Sequence, residues 1–150
     1  MLVRCLYASR AAAPLSKPVI DSILDQSRRN NPRLGITGML CHFDETFIQV
    51  IEGGRDAVCD LFIALVRDDR HTNVRLLVYE EIAQRRFGGW TMGAVNMARV
   101  NPSLLLKYFE RPVLDPFGAS GQGTLALLDD LVAAALVITP GGEKTWPADV

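Results

Sequence analysis

The order of hydrophobic periods along the chain is its strongest constraint on fold. Segments with a period of two alternate with segments of helical period, about 3.6, in the order strand, helix, strand, strand, helix, strand, strand. In Leu2–Ser9, Val3, Cys5 and Tyr7 share one face, and Leu2, Leu6 and Ala8 share the other. Both faces are mostly apolar, the pattern of a central strand covered on two sides. A helix follows, with Ser16 as its cap, Pro18 in its first turn, and Val19, Ile20, Ile23, Leu24 and Ser27 at helical spacing. Pro32 is expected to end it. Residues 35–42 and Phe47–Ile51 read as strands joined by a tight turn at Asp44-Glu45, a hairpin. Gly53-Gly54 breaks the chain. A second helix runs from about Arg55 to Arg67, with Val58, Leu61, Phe62, Leu65 and Val66 on one stripe. Val74–Ile82 and Trp90–Val95 read as the last two strands.

This order predicts an α+β fold of the ferredoxin-like kind, an antiparallel-rich sheet with both helices on one face. Right-handed crossovers set the helices side by side. The opposite face is also apolar, through Leu2, Leu6, Ile48 and Val50, and needs a cover. The segment Thr124–Ile138 is apolar almost all round, with Leu125, Leu127, Leu128, Leu131, Val132, Leu136 and Val137. It is expected to be the lid over that face or part of a subunit interface. A chain of 150 residues supports one core. Residues 1–112 carry a net charge of +3 and residues 113–150 a net of −4, and the break falls near Pro112 and the Pro/Gly/Ser-rich stretch Pro116–Gly123. We read a core domain over residues 1–98 and a C-terminal helical extension over 99–150.

Sixteen basic side chains against seventeen acidic ones argue against a protein that binds nucleic acid through bulk charge. No apolar run has the length of a membrane span. The N-terminal residues lack the layout of a secretion signal. The three cysteines, Cys5, Cys41 and Cys59, have no CxxC spacing, so neither a disulfide framework nor a metal site is expected and a cytoplasmic setting is. P-loop, GxGxxG and HExxH motifs are absent.

Several polar residues break the pattern. Alternation points Gln49 toward the helix-covered face, between Phe47 and Ile51, where an unpartnered amide costs about 1–3 kcal/mol. Tyr7 points the same way, and its hydroxyl also needs a partner. The two residues either satisfy each other inside a core or face a ligand. Asn30-Asn31 either terminates the first helix or presents amides to a planar ligand with imide-like donors and acceptors. Asp68-Asp69-Arg70-His71 is a solvated loop or, through Arg70, a seat for phosphate or carboxylate. Trp90 and Met92 lie two apart on one strand face, as edge packing or as a functional pair. Cys5 reads as a small core hydrophobe.

Taken together and in order, these motifs resemble the BLUF family of flavin-based blue-light sensors. The resembling residues are Tyr7-Ala-Ser9, Ser27 with Asn30-Asn31, Gly35-Ile-Thr-Gly38, Phe47-Ile-Gln-Val-Ile-Glu-Gly53, Asp68-Asp-Arg-His71 and Arg86-Phe-Gly-Gly-Trp-Thr-Met92, spanning roughly residues 1–98. The resemblance implies FAD, with FMN also possible, its ring held noncovalently between the two helices. It implies that Gln49 bridges Tyr7 and the flavin edge and that Asn31, with Asn30 beside it, bonds the pyrimidine-like edge. Ile23, Ser27, Phe47, Ile51 and Leu65 pack around the ring, and Arg70 lies toward the ribityl and phosphate end with Asp68 and His71 nearby. Trp90 and Met92 are the pair that exchange places near Gln49, and the resemblance leaves open which is inside.

The implied function is photoreception without turnover. Excited flavin takes an electron from Tyr7, the proton moves through Gln49, and Gln49 is left rotated or as its imidic-acid tautomer, donating to the flavin and shifting its spectrum to the red. Residues after 98 are too few for a cyclase, phosphodiesterase or DNA-binding module, so the resemblance is to short stand-alone members that signal to a separate protein, with self-association expected. Two other classes remain at this point: a light-independent flavin oxidoreductase or small phosphatase of the same fold class, and a flavin-free binding module. Against the phosphatase, Arg10 and Asn96 make no convincing phosphate pair. Against the module, Tyr7 and Gln49 are both present.

Overall fold

A computed structural model describes residues 1–134. Its sheet contains β1 (Leu2–Ala11), β2 (Thr37–Phe43), β3 (Thr46–Gly54), β4 (His71–Ile82) and β5 (Gly93–Asn96), in the spatial order β4-β1-β3-β2-β5. All neighbours are antiparallel except β2 and β5, which run parallel. Helices α1 (Lys17–Leu34) and α2 (Arg55–Arg67) connect β1 to β2 and β3 to β4. Each of these strand pairs has another strand inserted between its members, the ferredoxin-like arrangement the sequence order predicts.

Two cores flank the sheet. On one face Val3, Cys5, Leu40, Phe47 and Ile51 pack with Ile20, Ile23 and Leu24 of α1 and Val58 of α2. On the other, Leu6, Ala8, Met39, Cys41, Ile48 and Val50 pack under α4 (Gly121–Ala133) through Leu125, Leu127, Leu128 and Leu131. The expected lid is therefore α4. Ser120 caps it, accepting from the Gly123 N–H at 2.9 Å. Its first turn lies so close to β4 that a Cβ on Gly121 would stand 2.4 Å from the Leu77 carbonyl oxygen, so only glycine fits. A short α3 (Pro102–Leu105) precedes it. Leu136, Val137 and Ile138 of the expected lid lie outside the described residues.

Four local expectations are corrected. Pro32 does not end α1: the helix continues to Leu34 and is closed by Gly35 at φ +68°, whose N–H and that of Ile36 bond the Pro32 and Asn31 carbonyls. Asn30 and Asn31 thus lie within the last helical turns. Ser16 occupies the N-cap position, but its hydroxyl makes no capping bond. Strand β3 runs through Glu52 and Gly53, because Arg4 of β1 and Thr37 of β2 pair with Glu52 on either side. Strand β5 starts only at Gly93, so Trp90 and Met92 precede it. The carbonyls of residues 90–92 are bonded by the Gly38 N–H, the Asn31 amide and the Arg28 guanidinium, which holds this stretch as an irregular strap against α1.

Candidate functional site

Tyr7 of β1 and Gln49 of β3 are direct cross-strand partners in the antiparallel ladder. Side chains at paired positions point to the same face. Both therefore rise toward the helices, and the Tyr7 hydroxyl donates to Gln49 Oε1. The amide's other end is also engaged: Gln49 Nε2 donates to Met92 Sδ at 3.4 Å. Tyr7 and Met92 are almost fully buried, and Gln49 is 5% exposed. Burial raises the pKa of the Tyr7 phenol well above its ordinary range, and repulsion from Cys5, were it ionised, and from the Asp68 carboxylate adds to this. The phenol is accordingly protonated at any physiological pH. Burial likewise pushes the neighbouring Cys5 thiol up to about 12, which makes it an inert hydrophobe as the sequence suggests.

A cleft of about 210 Å³ opens above this pair between α1 and α2. Its α1 wall carries Ile23, Gln26, Ser27, Asn30, Asn31 and Leu34, a helical stripe. Its α2 wall carries Leu61, Ala64 and Leu65, and its floor is Tyr7, Leu40 and Gln49. Asp68, Arg70 and His71 close one end. Arg70 is held there by a near-bidentate pair with Asp68, its shortest contact 2.6 Å, and by a 3.1 Å bond to Gln26 Oε1 that ties the end of α2 to α1. The Arg70 guanidinium holds the Asp68 carboxyl below its usual range. His71 is the first residue of β4 rather than part of a solvated loop. Its Nδ1 lies 2.9 Å from Ser9 Oγ, its ring sits 5.0 Å from that of Phe47, and burial lowers its pKa.

Of the sequence-derived site residues, Tyr7, Ile23, Ser27, Asn30, Asn31, Gln49, Leu65, Asp68, Arg70 and His71 line this one cleft. Phe47 and Ile51 do not reach its surface; they form the packed layer beneath it. Asn31 Nδ2 donates to the Thr91 carbonyl at 2.7 Å, and Asn30 Oδ1 accepts from Arg33 at 3.1 Å. Met92 is fully buried against Gln49, whereas Trp90 is half-exposed. Met92 is thus the inward member of the pair. Sequence reasoning missed Leu40, Gln26 and Leu61. Leu40 was within reach, because the two-residue turn at Asp44-Glu45 pairs Phe43 with Thr46 and hence Leu40 with Gln49. The lining suits a flat heteroaromatic group: apolar walls from two helices, and amides at one edge that both donate and accept.

A family model described as BLUF, sensors of blue-light using FAD, matches residues 2–93. The chain belongs to the BLUF family. It is a blue-light sensor of that family and shares its ferredoxin-like fold. It is similar to the photoactivated adenylate cyclase subunit beta of Euglena gracilis, 33% identical over 92 residues. That match covers 61% of this chain and 11% of the cyclase subunit, so the chain spans a small part of the cyclase relatives it matches. It is also 31% identical over 90 residues to the blue light- and temperature-regulated antirepressor BluF of Escherichia coli (strain K12), covering 59% of this chain and 22% of that protein. Among solved structures, BlrB, a BLUF protein in its dark state, superposes with a TM-score of 0.71 at 35% identity, covering 90% of this chain and 97% of that one. BlsA in its photo-activated state gives 0.77 at 25% identity, covering 93% and 100%.

The last two alignments include the region that forms α4, although the family model stops at residue 93. No helix among the described residues is long and apolar enough to cross a membrane.

Proposed function

We propose that this BLUF chain binds FAD in the cleft between α1 and α2 and converts blue light into a hydrogen-bond rearrangement at Gln49, which it reports to a separate signalling protein. The observation that carries this reading is the continuous chain Tyr7 O–H, Gln49 Oε1, Gln49 Nε2, Met92 Sδ, whose Tyr7 and Gln49 members floor the cleft. FAD is the dinucleotide in the family's own description. The residues fit a flavin: Asn30, Asn31 and Gln49 offer amides to its polar edge, Ile23, Leu61 and Leu65 offer apolar flanks, and Arg70 offers a guanidinium toward its phosphate end. Bound flavin supplies the absorption of blue light and, once excited, a place for one electron.

The protein's part is to prepare proton movement. Tyr7 is the phenol that lines the cleft, and its protonated state is secured by burial. A phenol that has lost an electron is a strong acid, and Gln49 Oε1 stands as the acceptor of its proton. An amide that gains this proton on oxygen and passes one from nitrogen to the bound group that took the electron would have exchanged its donor and acceptor ends. Met92 suits the second position, because a thioether accepts weakly and releases the N–H at little cost. When the electron and proton return to Tyr7, the amide remains rearranged and biases a two-state element.

The walls of the cleft sequester the photochemistry, so the reading is of a sensor rather than a turnover enzyme. Residues 1–98 are the sensor, and the extension 99–150 is its cap and its output or oligomer surface, in a homo-oligomer. The free cysteines Cys5, Cys41 and Cys59 support a cytoplasmic setting. The test is light-minus-dark infrared difference spectroscopy of the FAD-loaded chain with isotope-labelled glutamine. An amide band that moves on illumination in the wild type and is absent in Gln49→Leu supports the reading. A flavin signal without any glutamine band overturns it.

A further inference from the structure

A carboxylate on the far side of the sheet from the cleft is built into the strap that carries Met92. Glu52 lies three residues after Gln49 on β3, so alternation turns it to the α4 face. It is fully buried. Its Oε2 takes the Arg4 guanidinium at 2.7 Å, and Arg4 is itself 4% exposed. Its Oε1 accepts two successive backbone N–H groups, Arg86 at 3.0 Å and Phe87 at 2.6 Å. Arg85 binds the same strand end, donating to the Glu52 carbonyl at 3.1 Å and the Gly35 carbonyl at 2.7 Å. Phe87 is fully buried in the α4-side core, and the Arg86 side chain reaches Asp129 of α4 at 3.0 Å.

The strap is therefore pinned at two places. Residues 85–87 are held on the α4 face by Glu52, and residues 90–92 are held beside the cleft by Gly38, Asn31, Arg28 and Gln49. Gly88 and Gly89 lie between the pins. A buried charge is retained only with full hydrogen bonding, and breaking one partner of such a set is costly. Here Arg4 of β1 supplies the opposite charge, and the rest of the set is met by a loop that also carries the sulfur touching Gln49.

We propose that Glu52 is a positioning residue for the photochemical switch: by clamping the Arg86 and Phe87 N–H groups it holds the strap so that Met92 Sδ rests on Gln49. The inference depends on the Gln49 reading above. Loosening the clamp withdraws support from the Met92-inward arrangement, and the return to that arrangement after illumination slows. A structural residue alone would lower stability without acting through Met92.

The test is a double-mutant cycle on the FAD-loaded chain, read as the rate at which the light-induced spectral shift decays in the dark. Glu52→Gln keeps an acceptor for the N–H groups but removes the charge facing Arg4. Glu52→Asp keeps the charge and shortens the reach, and serves if the first variant does not fold. Either should slow recovery by about two- to thirtyfold, and the same change made in a Met92→Ala background should add nothing further. Recovery unchanged from wild type in a folded Glu52 variant overturns the proposal, as does an equal additional slowing in the Met92→Ala background. If the wild type shows no light-induced shift at all, the Gln49 reading fails instead, and the two failures are told apart.

Discussion

The Tyr7 hydroxyl and the Gln49 side-chain carbonyl meet because the two residues oppose each other in the β1–β3 ladder. A hydrogen bond at a directly paired position needs no long-range adjustment, since the sheet register fixes both Cβ atoms within about 5 Å of each other. Each group lies in an interior where a lone polar atom is costly, and each solves the other's problem.

Replacing Gln49 by Leu keeps the volume and removes both ends of the amide. The Tyr7 hydroxyl is then buried without its partner, so the variant should lose about 1–3 kcal/mol in denaturant unfolding. It should bind flavin and show no red shift on illumination. Light-minus-dark absorption of the variant checks this, and a wild-type shift would remove Gln49 from the switch.

Tyr7→Phe takes away the proton and the oxidisable phenol while leaving the ring packed edge-on against Phe62, 5.8 Å between centroids. The fold should survive, and the ordinary photocycle should not. Transient absorption after a blue flash is the measurement, and an unchanged signalling state would exclude Tyr7 as electron donor.

Leu128 of α4 is fully buried beneath the sheet. Its truncation to Ala should cost about 2–5 kcal/mol of unfolding free energy. That figure would make α4 part of the sensor's own core. A cost near zero in urea titration would mean that α4 is loosely docked.

His71 sets a pH dependence. Burial lowers its pKa below 6.5, so the folded chain keeps it neutral where the unfolded chain protonates it. The unfolded state then binds more protons, and stability rises with pH through this window. The contribution is present above 6.5 and is lost as the pH falls through the lowered folded value. Thermal midpoints of wild type and His71→Gln, measured from about pH 8 down to about pH 5, should converge toward the acid end. Parallel curves would assign the acid loss to other groups, such as His42, whose pKa burial also lowers.

What the sequence disclosed and what it hid divide along a physical line. The shared face of Tyr7 and Gln49 was legible because strand alternation is a local rule, whereas their direct pairing across β1 and β3 is a long-range register that alternation does not set. The α4 cover was legible because an apolar sheet face must be buried. Trp90 and Met92 imitated a strand by spacing, but the backbone carbonyls of residues 90–92 are claimed by Gly38, Asn31 and Arg28, partners more than fifty residues away in sequence. Pro32 looked like a stop, yet it sits in the final turn of α1 without a backbone N–H to bond, and the helix is closed only by the left-handed cap at Gly35 three residues later. Glu52 stood in the motif of residues 47–53 with no role legible there, since its partners are the Arg4 guanidinium across the sheet and backbone N–H groups more than thirty residues away.

The most direct test of the account is the visible absorption of the purified chain loaded with FAD, recorded in the dark, during blue illumination and again in the dark. The account predicts a flavin band that moves slightly to the red in the light, without bleaching, and returns in the dark. A band that bleaches, or does not move, would contradict it.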